Sequence, residues 1–95
     1  MGHNTEMIDG YLFRASEIKR MRKWEKIMSD RQWWCITKLM TAAGFTKPEH
    51  FPGAHTQEKR LMFKFMLAFN SSHDDAQIEH STISGKDYFR LVPKQ

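Results

Sequence analysis

Eight of the nine residues at positions 61–69 are apolar; Lys64 is the exception. At 3.6 residues per turn they cover most of a helix's circumference, and a helix apolar nearly all round sits at the centre of a fold. The spacing predicts a central helix opening at Thr56 or His55 and ending near Phe69, with only Gln57, Arg60 and Lys64 reaching water. The other segments must then surround it. At 95 residues the chain is expected to form a single domain over 1–95, with residues 1–10 a flexible N-terminal arm.

A first helix is expected from an N-cap at Ser16 to about Met28. Ile18, Met21, Trp24 and Met28 recur at spacings of three, three and four, so they share one side. Lys19, Arg22, Lys23 and Lys26 fall within an arc of about 100° opposite them. Ser29-Asp30-Arg31-Gln32 reads as a capping box opening a second helix to about Ala43, and Gly44 suits the left-handed residue that ends it. On that helix Trp33, Ile36, Leu39, Met40 and Ala43 make the apolar stripe, with Cys35 at its edge. Trp34 points about 100° away from Trp33, among Arg31, Thr37, Lys38 and Thr41. One neighbouring helix does not bury both indoles, so Trp34 is either covered by another segment or exposed as a contact residue.

Thr46-Lys47-Pro48-Glu49 resembles a further capping box for a short helix that Pro52-Gly53 would stop. Residues 70–75 carry turn chemistry. Ile83 and residues 88–92 flank Ser84-Gly85-Lys86-Asp87, which predicts a β-hairpin with a four-residue connection, or a lone last strand. The expected architecture is mainly α (α+β): a compact bundle of three to four helices with a C-terminal β-hairpin or single strand. Met21, Met28, Met40, Met62 and Met66 fall on its core stripes.

Charge is uneven. From Arg14 to Lys64 there are 12 Lys/Arg against 5 Asp/Glu, while the whole chain carries +4. A basic excess on helices favours an anionic partner. No run approaches the ~18–20 apolar residues of a membrane span, and the first residues lack a signal-peptide layout. The lone Cys35 excludes an internal disulfide and points to a reducing, cytoplasmic setting.

Specific chemistries fit poorly. A helix-turn-helix around Gly44 would need a longer second helix than Pro52-Gly53 permit, and Met40 stands where that motif takes a small residue. His50 and His55 with one cysteine fall short of the four ligands of structural zinc. No nucleophile–base pair or phosphate-binding glycine loop is evident. The sequence thus predicts a non-enzymatic binding protein, with no cofactor, metal, membrane or small-molecule substrate. Its expected site is Lys19, Arg22, Lys23, Lys26, Arg31, Trp34 and Lys38, engaging nucleic acid through charge and stacking. The alternative is an adaptor or inhibitor, such as a viral accessory factor, docking on a larger nucleic-acid-processing enzyme with Trp34 and Arg31 as its hot spot.

Overall fold

Two short turns of the same kind organise the chain at its two ends. Asp9 and Gly10 have φ of 48° and 89°, and Ser84 and Gly85 have φ of 51° and 76°. Two successive left-handed residues make the two-residue turn whose twist matches paired strands. In the computed structural model, which describes residues 5–44 and 54–94, the first turn joins β1 (Thr5–Ile8) to β2 (Tyr11–Arg14). The second joins β4 (Ala76–Ile83) to β5 (Lys86–Pro93). Both hairpins are antiparallel, closing at Ile8↔Tyr11 and Ile83↔Lys86.

Between them lie α1 (Ala15–Met28), the two-residue strand β3 (Trp34–Cys35), α2 (Ile36–Ala42) and α3 (Ala54–Ser72). β3 pairs with β5 at Trp34↔Phe89 and Cys35↔Tyr88, giving a three-stranded sheet ordered β3-β5-β4 beside the two-stranded β1-β2 ribbon. Ile78 and Phe89 are buried on one sheet face, against the helices. Trp24, Phe13, Phe89, Met28, Leu39, Met40 and Met62 are the largest fully buried side chains. Met21 is buried as well, and Met66 packs at the core's margin, so the five methionines pack as their periodicity implies.

The helical-bundle expectation is overturned. Among the described residues three helices and five strands, 48% helix and 33% strand, form an α+β fold with two antiparallel sheets. Much of the discrepancy lies at residues 29–35. Ser29 does not open a helix: its hydroxyl donates to the Lys26 carbonyl at 2.6 Å, closing α1. The Asp30 carboxylate accepts from the Gln32 N–H at 2.9 Å, and Arg31 turns left-handed at φ 63°. That local bonding competes with helix formation and delivers Trp34 to β5. Thr5–Ile8, within the expected arm, forms β1. Ser16 is not the cap of α1; Arg14 is, its N–H donating to Glu17 Oε1 at 2.8 Å. α3 runs three residues past Phe69. The last hairpin turns on two residues rather than four. The short helix expected after Thr46, its Pro52-Gly53 stop, and the side chains of His50 and His55 lie outside the described residues.

Two polar anchors, with Phe63 packed edge-on against Phe89 and His80, help seat α3 on the C-terminal hairpin. Asn70 answers both backbone groups of Ile78: its Oδ1 accepts the Ile78 N–H at 2.7 Å and its Nδ2 donates to the Ile78 carbonyl at 3.0 Å. This side chain occupies the free edge of β4 as a partner strand would, blunting an edge that otherwise invites pairing. Asp87 is the second anchor. Lys59 of α3 meets its Oδ2 at 2.7 Å, His80 Nε2 lies 2.7 Å from Oδ1, and Thr82 Oγ1 donates at 3.3 Å. The Lys59 and His80 contacts hold its carboxyl below the ordinary 3.8.

Asn70→Ala should destabilise the fold by about 1–3 kcal/mol, because two buried backbone groups lose partners, and should produce concentration-dependent association on size-exclusion chromatography with light scattering; an unchanged melting midpoint and a monomer at all concentrations would contradict this role. Asp87 is ionised more readily folded than unfolded, so its contribution is present above about pH 4 and is lost as pH falls through the depressed value. Asp87→Asn should therefore flatten the acid limb of a stability–pH curve measured by denaturant unfolding.

Candidate functional site

Helix α1 sets the geometry. Met21, Trp24 and Met28 are buried, so the opposite side must face outward, and Lys19, Arg22, Lys23 and Lys26 are all exposed there. Lys19 to Lys26 spans about 10 Å of helix. Among the described residues none of these four joins a salt bridge, whereas Arg20, Lys59 and Arg90 each have a carboxylate partner. Lys23 Nζ donates to the Ala43 carbonyl at 3.3 Å, which draws it toward the end of α2 and leaves two donors for solvent.

The face is bordered by shallow clefts. Lys19 and Arg22 line one of about 630 Å³ against β1. Arg22 and Lys26 line another of about 350 Å³ with Ser29 and Leu91. Lys23 and Lys26 line a third beside Ala42, Ala43 and Gly44. Gly44 adopts φ 84°, as its position after α2 implies.

The remaining predicted site residues divide. Arg31 is exposed near the end of α1, and Lys38 is exposed on α2, away from the clefts just described. The two tryptophans exchange roles. In a strand, neighbours point to opposite faces rather than 100° apart. Trp34 turns inward: it is half-buried, packs against the core, and donates its indole N–H to Asp30 Oδ1 at 3.1 Å. Trp33, assigned by helical spacing to the core, is 36% exposed, with the Arg90 guanidinium 4.4 Å from its ring centroid. Arg90 is in turn held by Glu79 Oε1 at 2.6 Å. The more exposed indole is therefore Trp33, not Trp34.

One charged residue went unnoticed in the sequence. Glu58 of α3 is 5% exposed and pairs with Arg20 on the flank of α1. Among the described residues its Oε2 has no hydrogen-bond partner. Burial pushes the Glu58 carboxyl up from its ordinary 4.5; Arg20 opposes this and Glu17 adds to it. Among the described residues no group of three or more His, Cys, Asp or Glu is placed to hold a metal ion, and no helix is long and apolar enough to cross a membrane. Compared with known protein families, curated proteins and solved structures, the chain shows no significant match.

Because the folded state holds the Glu58 proton more tightly than the unfolded chain, stability from this group is fully present below about pH 4.5 and declines as pH rises through the elevated value. Glu58→Gln should remove that decline while keeping a polar partner for Arg20, leaving stability at neutral pH equal to or above wild type in urea unfolding. A loss exceeding about 2 kcal/mol would show instead that the ion pair outweighs the desolvation.

Proposed function

We propose that this protein is a nucleic-acid-binding domain that works without catalysis, contacting phosphates through the outer face of α1. The observation that carries this reading is the cluster of Lys19, Arg22, Lys23 and Lys26, exposed on one face and unpaired among the described residues. Cations kept only for solubility are more often interleaved with acids. Here the nearby Arg20 is neutralised while the outward set is not. Phosphate neutralisation with counterion release would supply most of the affinity.

A second reading rests on a different feature. Trp33 under Arg90 is an exposed Trp–Arg stack, and these residue types dominate protein interfaces. That favours an adaptor or inhibitor docking on a larger protein through the sheet.

Fluorescence anisotropy with labelled oligonucleotides separates the two. The nucleic-acid reading requires micromolar or tighter binding at low salt that weakens steeply as salt rises. Lys19→Glu with Lys23→Glu should cost at least about tenfold and lower the salt slope by about two. Absence of binding at low salt defeats the reading.

A further inference from the structure

We propose that the hollow between β1, α1 and α3 is a binding site for a small arylalkyl ammonium ion, with the ring taken inside and the charge held at the mouth. The site is distinct from the phosphate-contacting use of α1 and does not depend on it.

Three elements each give one face to this hollow. Ile18 and Met21 come from α1, Phe65, Ala68 and Phe69 from α3, and Ile8 from β1. Helical residues three or four apart share a side, so both helices present apolar rows to the same space. The hollow has a volume of about 130 Å³ and is more enclosed than the clefts beside the cationic face. An apolar cavity of about 150 Å³ is enough to take a benzene ring. Ala68 is fully buried and is the smallest side chain in the apolar wall. A longer residue there would occupy the space. Phe65 and Phe69 meet edge to face at 5.7 Å, and such walls offer an incoming ring the same tilted contacts.

The mouth is polar and selects the head group. Glu6 of β1 and Glu25 and Arg22 of α1 stand there, all three exposed. Neither carboxylate joins a salt bridge among the described residues, although Arg22 lies one helical turn from Glu25. His73 also lines the hollow; its ring stacks on Phe69 at 3.8 Å and its Nδ1 meets the Phe69 carbonyl at 3.1 Å. With His73 neutral, two carboxylates against one guanidinium leave the mouth at −1, in a chain that carries +4. An apolar interior with a few charged groups at its entrance fixes both what enters and which end stays outside. Here the end left outside is a cation.

The test is a titration of the full chain, followed by backbone amide NMR, with benzylamine, benzyl alcohol and benzoate. These share a ring and a size and differ in charge. Benzylamine should saturate with a Kd of about 1 mM or tighter, shifting Ile8, Ile18 and Ala68 most. It should bind at least about tenfold tighter than benzoate. Glu6→Gln with Glu25→Gln, at two exposed positions, should reduce that preference to about threefold or less and leave benzyl alcohol unchanged. Ala68→Leu should abolish binding of all three, with a thermal melt to establish that it folds; should it not fold, the paired glutamine variant decides. Absence of saturable shifts with benzylamine, equal binding of the three compounds, tighter binding of benzoate, or an undiminished preference in the paired variant overturns the proposal. None of these outcomes alters the oligonucleotide result.

Discussion

Burial of Trp24 is the constraint on which the surface depends. This side chain is fully buried midway along α1, its ring 6.4 Å from that of Phe65 on the central helix. Burying some 150–250 Å² of indole at about 25 cal/mol per Å² is worth roughly 4–6 kcal/mol, less about 1–3 kcal/mol for its buried N–H, which has no partner among the described residues. Like-charge repulsion between exposed helical neighbours costs about 0.2–0.5 kcal/mol per pair. The first quantity fixes the rotation of α1 and easily outweighs the second. Once Trp24, Met21 and Met28 point inward, the rigid cylinder has no choice but to hold Lys19, Arg22, Lys23 and Lys26 together in water. A cationic face without salt bridges among the described residues is thus a cheap consequence of the core.

The same rotation explains the unusual Glu58. Arg20 lies about 100° from Lys19 around α1, so it faces the flank where α3 passes. There it meets a carboxylate too buried to be solvated. Such a pair contributes little net stability, since desolvation consumes most of the Coulombic gain. It does make one azimuth of α1 against α3 preferable to its neighbours, reinforcing what Trp24 sets. Lys64 acts on the other side of α3, donating to the Leu12 carbonyl with its ammonium 4.6 Å from the centre of the Phe13 ring. The one cation in the apolar run therefore anchors the N-terminal hairpin.

Helical periodicity made α1, most of α3 and the second half of the α2 stripe legible, because each buries a continuous apolar face whose period is local; α3 is not sheathed all round as expected, since Leu67 is 50% exposed. Ile36, Leu39, Met40 and Ala43 are buried as their spacing implies. What was not legible depends on distant partners. Trp34 is extended because it pairs with Phe89, far along the chain, and local spacing carries no trace of that pairing. Ser29 satisfies the same pattern whether it begins a helix or ends one, and the α1 carbonyl claimed it first. Asp9-Gly10 is a strong hairpin signal, but the strands it joins have four residues each and bury few side chains, so their alternation is faint. Consequently the charge set was readable from sequence while the indole was not: charges follow from the helix, whereas the choice between Trp33 and Trp34 follows from the sheet.

That division bears on how binding and folding are joined. The cationic face stands on α1 and the Trp33–Arg90 pair on the sheet, elements brought together only by tertiary packing. Lys59 and Asn70 of α3 hold the β4–β5 hairpin in place. A ligand touching both α1 and the sheet would bind the docked arrangement and not an open one, adding stability in proportion to the logarithm of its concentration over the dissociation constant. The blunted β4 edge matters for the same reason. Were that edge free, a second copy would compete to order the hairpin, and the sheet rim carrying Trp33 and Arg90 would be positioned by self-association instead of by α3.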